Sequence, residues 1–125
     1  LKNKFTYYAP ALAWGFFMTY MTLLPADEVP QGLKDMNDKI LHAGIFFFTA
    51  SLIIAAGLRY NLRRRLKPAQ YLKIFLLCVV YGGAIELLQY YYVPLREGDW
   101  FDFWANNSGA LLAVLCWSLF TGRKA

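Results

Sequence analysis

Seven side chains in this 125-residue chain have the types and spacing for acid–base or headgroup chemistry: Asp38, His42, Glu86, Gln89, Arg96, Asp102 and Asn106. Asp38 and His42 are four apart, which makes them neighbours on one helical face. Glu86 and Gln89 are three apart and share a face in the same way. Asp99, Asp102, Asn106 and Gly109 follow a three-four-three rhythm along a single stripe. Glu86 makes the strongest demand, because it sits inside an apolar run, six residues before that run ends at Tyr92. That is roughly 9 Å along a helix axis. An ionisable group at such depth in lipid needs a cavity, a partner or a proton. His42, Arg96 or a bound cation would hold it ionised, or burial keeps it protonated; the sequence leaves both open.

The chemistry such a set supports is acid–base work by Glu86, His42 and Asp102, with Asp38, Gln89, Arg96 and Asn106 holding a polar substrate group. A nucleophilic Ser-His-Asp or Cys-His arrangement is not visible: there is one His, and Cys78 and Cys116 lie inside apolar runs, where they read as small hydrophobes. A divalent ion on Asp38, His42, Glu86 and Asp102 is compatible with the donor types. Hard oxygens with one imidazole suit several ions, however, and the sequence shows no outer-sphere support, so no metal or cofactor is assigned. Each residue also has an ordinary use. Asp99 suits an N-cap with Asp102 complementing the helix dipole, Asn37 or Asp38 suits a cap of the second helix, Lys39 suits snorkelling, and His42 and Asn106 suit interhelical hydrogen bonds. Glu86 with Gln89 is the pair these uses explain worst.

The elements that must position these groups are membrane helices. The chain is 58% hydrophobic and only 17% charged, against about 25% charged in typical soluble domains. A body this small cannot hide so much apolar surface from water. Four apolar stretches, at about 7–24, 40–58, 73–92 and 101–120, each approach the roughly 20 residues that cross a bilayer as a helix. The expected fold is an all-α integral membrane four-helix bundle in one domain, with Pro10 in the first turn of the first helix. Leu23-Leu24-Pro25-Ala26-Asp27 lacks a small-x-small cleavage site, so the first stretch reads as a retained helix rather than a signal peptide. Ser51 and Ala55, Gly82-Gly83, and Gly109 with Ala113 supply small residues for close helix approach.

Charge sets the expected orientation. Lys2, Lys4, Arg59, Arg63, Arg64, Arg65, Lys67, Lys73, Arg123 and Lys124 fall on one side, and only Lys34, Lys39 and Arg96 on the other. The positive-inside rule then puts both termini in the cytoplasm and the polar groups at the outer surface. Asp27, Glu28, Asp35, Asp38, Glu97, Asp99 and Asp102 share that outer side, and Tyr7, Tyr8, Tyr90, Tyr91, Tyr92, Trp100 and Trp104 mark helix ends. The net charge of +5 therefore serves topology and anionic headgroups, with Arg63-Arg64-Arg65 as the main cluster, and nucleic acid is not an expected partner.

Over nearly its whole length the chain resembles the VanZ-like family of small bacterial membrane proteins. The resemblance rests on Asp38-Lys39-x-x-His42, Glu86-x-x-Gln89, Arg96 with Asp102-x-x-x-Asn106, and Thr22-Leu23-Leu24-Pro25 at the exit of the first helix. It implies a protein of the bacterial inner membrane connected with the cell envelope, in a family associated with resistance to the glycopeptide teicoplanin. It supplies no settled reaction. The expected function is an extracytoplasmic site that binds or processes an envelope component: a lipid-linked saccharide, a lipid headgroup or a glycopeptide. The alternatives are an accessory or structural subunit of a larger membrane complex and, behind it, a proton-coupled transporter using Glu86 and His42, which the absence of inverted repeats disfavours.

Overall fold

The computed structural model describes residues 3–24, 32, 38–61, 66–93 and 100–122. Four long helices carry nearly all of them: α1 (Lys4–Thr22), α2 (Asp38–Asn61), α3 (Pro68–Tyr92) and α4 (Trp100–Gly122). Helices α1 and α3 start ahead of the apolar stretches that announce them, because their N-termini are capped in polar sequence. Asn3 Oδ1 accepts the Phe5 N–H at 3.0 Å and starts α1 at Lys4. Pro10 therefore lies in the interior of α1 and not in its first turn, where its ring removes the N–H that the Thr6 carbonyl would have accepted. Pro68 opens α3 several residues ahead of the expected Lys73. Its fixed φ suits a first helical position, and the Gln70 side chain accepts the Lys67 N–H at 2.9 Å.

Helices α2, α3 and α4 are long and apolar enough to cross a membrane. Helix α1, with 19 residues, is not among them, since Tyr7, Tyr8, Trp14, Thr19, Tyr20 and Thr22 dilute its aliphatic content. The outward surfaces confirm a lipid solvent: Phe16 and Phe120 are more than three-quarters exposed, and Val80, Leu87 and Leu119 nearly as much. Water would not tolerate apolar surface on this scale. Lipid does.

Inside, Phe46 and Ala50 of α2, Cys78 of α3, and Ala110 and Ala113 of α4 form one core cluster. Ile54, Leu66 and Tyr71 form a second, towards the end where α2 stops and α3 starts. Cys78 and Cys116 are both free thiols, and Cys78 packs as a small hydrophobe in the first cluster. Indole and hydroxyl groups stitch the helices together. Trp14 Nε1 of α1 donates to Thr49 Oγ1 of α2 at 2.9 Å, and Trp117 Nε1 of α4 donates to Ser51 Oγ of α2 at 2.9 Å. Tyr81 Oη of α3 meets Thr19 Oγ1 of α1 at 2.7 Å.

The tightest approach is between α2 and α4. A Cβ built on Gly109 would stand 2.7 Å from the carbonyl carbon of Ala43 and closer still to its oxygen. No side chain fits there, so Gly109 lets two backbones touch. Gly44, beside Ala43 on α2, has nothing within 4 Å of its own added Cβ. Gly109→Ala is expected to destabilise the bundle by about 1–3 kcal/mol through overpacking, whereas Gly44→Ala should leave it unchanged. Thermal unfolding of the two variants in detergent checks both.

Candidate functional site

The close crossing at Gly109 and Ala43 sets the register of the polar side chains on α2 and α4. One turn before Gly109 stands Asn106, one turn before that Asp102, and both meet the first turns of α2. His42 Nδ1 lies 2.9 Å from Asn106 Oδ1. An amide oxygen only accepts, so this ring nitrogen carries the proton and donates. His42 Nε2 then faces Asp102 Oδ2 at 3.5 Å. The other oxygen of Asp102, Oδ1, pairs with the Lys39 ammonium. The result is a continuous polar chain, Lys39–Asp102–His42–Asn106, laid across the α2–α4 seam.

That chain is exposed at one end and wholly buried at the other. The Lys39 side chain is 42% exposed, Asp102 11% and His42 12%, and Asn106 is 0% exposed. Helix α3 brings the third face. Glu86 is buried, and a carboxylate oxygen of it lies within 4.8 Å of a ring nitrogen of His42 and a carboxylate oxygen of Asp102. Four residues before Glu86, Gly82 clears the space that Asn106 needs: a Cβ there would stand 3.3 Å from Asn106 Nδ2 and 3.2 Å from the Phe46 ring. Among the described residues, Asn106 Nδ2 has no hydrogen-bond partner, and neither has the buried Oδ1 of Asn107. A buried donor left over beside a carboxylate–imidazole cluster needs an acceptor, since an unmade bond costs about 1–3 kcal/mol.

Of the residues expected at the site, the fold therefore assembles His42, Glu86, Asp102 and Asn106. Gln89 is buried as well, but its Nε2 donates to the Thr22 carbonyl at 2.6 Å. That bond satisfies an orphan carbonyl at the end of α1 and ties α1 to α3. Its amide nitrogen, expected to hold a substrate group, is engaged here by the main chain of α1. Asp38 opens α2, although its side chain lies outside the described residues, as do Arg96, Asp99, Asn37 and the cluster Arg63-Arg64-Arg65. Lys39, which by sequence suits snorkelling, also pairs with a carboxylate here. It does not merely snorkel to the headgroups; it turns inward to Asp102. Its three-residue offset from His42 was the available signal, because that spacing places both on one face.

A helical membrane protein with a polar cluster buried between three of its helices is the class that this geometry defines. The family model described as VanZ/LLP1 matches residues 5–121, nearly the whole chain, and the chain belongs to that family. No curated protein and no solved structure matches it.

Two variants test the site's construction. Gln89→Leu strands the Thr22 carbonyl and should destabilise the protein by about 1–2 kcal/mol, read as a lower midpoint of thermal unfolding in detergent. Lys39→Met should cost only about 1 kcal/mol, because the pair is partly exposed and screened. A double-mutant cycle with Asp102→Asn isolates the coupling.

Proposed function

We propose that this chain is a bacterial cytoplasmic-membrane protein whose polar cluster opens to the extracytoplasmic face and binds the headgroup of a cell-envelope component, a lipid-linked saccharide or a related phospholipid or glycopeptide. All four helices cross the bilayer in this reading, with both termini in the cytoplasm. Support for the orientation comes from charge. Lys4, Arg59, Lys67 and Lys73 lie at or near the ends of α1, α2 and α3 remote from the cluster. Tyr90, Tyr91, Tyr92, Trp100 and Trp104 are exposed at the cluster's end, where interfacial aromatics belong.

The observation that carries the reading is the surplus hydrogen-bonding capacity of the cluster. A polar group kept only to lock a bundle ends with its valences satisfied by neighbouring helices. Asn106 is wholly buried, holds His42 with its oxygen, and still presents Nδ2 with no partner among the described residues. Lys39, at the open end of the same chain of contacts, offers a cation to an anionic headgroup. His42 and Asp102 behind it, with Glu86 alongside, are placed to accept hydrogen bonds from hydroxyls or to move a proton.

An accessory-subunit role is the competing reading, favoured by the bond from Gln89 to Thr22 and by the broad exposed aromatic surface. Glu86→Gln and His42→Ala separate the two. Under the headgroup reading each variant reaches the membrane at normal abundance but retains a polyprenyl pyrophosphate-linked saccharide in nanodiscs about 10–100 times more weakly, the loss of one charged hydrogen bond. Unchanged retention, or loss of the folded protein in both, supports the accessory role instead.

A further inference from the structure

We propose that His42, Glu86 and Asp102 form a binding site for one divalent first-row cation. The three side chains come from three different helices and offer one imidazole nitrogen and two carboxylate oxygens within 4.8 Å of one another. Nitrogen with hard oxygens suits ions such as zinc or manganese.

Three geometric facts separate this cluster from an ordinary buried polar network. The first is the imidazole: Nδ1 donates to Asn106 Oδ1, so the neutral ring carries its lone pair on Nε2, which faces Asp102 Oδ2. Metal-binding histidines are held in this way, their second N–H given to a carbonyl or carboxylate. The second is the carboxylate: Asp102 pairs Oδ1 with the Lys39 ammonium while Oδ2 faces the imidazole, so a group outside the triad orients this ligand too. The third is the separation of Nε2 and Oδ2. At 3.5 Å the two atoms are too far apart for a good direct hydrogen bond. Two ligands at about 2.0–2.1 Å from one ion at the tetrahedral angle stand about 3.4 Å apart. The Nε2–Oδ2 edge already has the length that a shared ion imposes, and the Glu86 carboxylate is the third member of the group.

Three protein ligands leave a further coordination position. In the outer half of a bilayer that position suits a phosphate oxygen of a lipid headgroup, which an ion would bridge to the protein. This bridging role rests on the headgroup reading above; the binding of the ion does not.

The test uses the full chain in detergent micelles with no lipid added, stripped by a chelator and titrated with cobalt(II), then zinc(II). The expected result is one cobalt per chain, visible absorption bands of a low-coordinate nitrogen–oxygen site, and displacement by zinc. His42→Ala and Glu86→Gln should each weaken binding at least tenfold, and Asn106→Ala, which removes no ligand, about 10–100-fold. X-ray absorption of the zinc-loaded wild type should show one imidazole, and this readout serves where a variant does not fold. No saturable binding at about 1 mM ion, or a bound zinc without imidazole, overturns the site. Headgroup retention that persists after chelation in a protein that binds no ion sinks this inference and leaves the headgroup reading standing. Ion binding without any headgroup retention does the reverse.

Discussion

One steric fact governs the molecule: at Gly109 the backbone of α4 rests directly on the carbonyl of Ala43 in α2. In lipid there is no hydrophobic force to press helices together, so association depends on close packing and on hydrogen bonds made across the seam. The missing side chain supplies the first, and the residues one and two turns away supply the second. Because Asn106 and Asp102 share the stripe of Gly109, the register that brings glycine to Ala43 also brings those two side chains to His42 and Lys39. A shift of α4 by one residue would rotate the whole stripe by about 100° and dissolve the polar chain.

Much of this was legible in the chain, for definable reasons. Composition and the spacing of apolar runs demanded helices in lipid, and period-based reasoning placed Asp102, Asn106 and Gly109 on one stripe and Glu86 at depth. What local spacing cannot carry is which partner a side chain chooses once helices assemble. Lys39 had two outlets, the headgroups or a carboxylate on another helix, and only the α2–α4 register decides for Asp102. Gln89 shares a face with Glu86, but its donor goes to a main-chain carbonyl on α1, and nothing in Glu86-x-x-Gln89 announces a carbonyl 67 positions away. Helix ends were also hard to read, since capping by Asn3 and by Pro68 with Gln70 extends α1 and α3 into sequence that hydropathy assigns to loops.

The polar chain and the lipid-facing surface make opposite demands on the same short helices. Phe48, Leu87 and Leu111 must present apolar surface outward, while His42, Glu86 and Asn106 on those same helices turn inward. Each helix is therefore apolar almost all round and polar only at one narrow inner arc near one end. The core beneath that arc is built of Ala50, Ala110 and Ala113, none of them exposed, with Phe46 as the large filler and Gly82 cut back to admit it. Small residues below and glycines beside the cluster let three helices converge tightly enough that carboxylate, imidazole and amide meet without intervening aliphatic bulk.

Helix α1 stands apart from this economy, packing mainly on α2 and only lightly on α3. Yet its final turn is latched to Gln89, which sits one turn from Glu86 on the same rod. The outward flank of α1 carries Phe16, Phe17 and Tyr20, bare to the bilayer. Any neighbour that grips that flank and tilts the helix pulls on the latch, and the latch pulls on the rod that holds the buried acid. The stave least bound to the barrel thus has a handle on its interior.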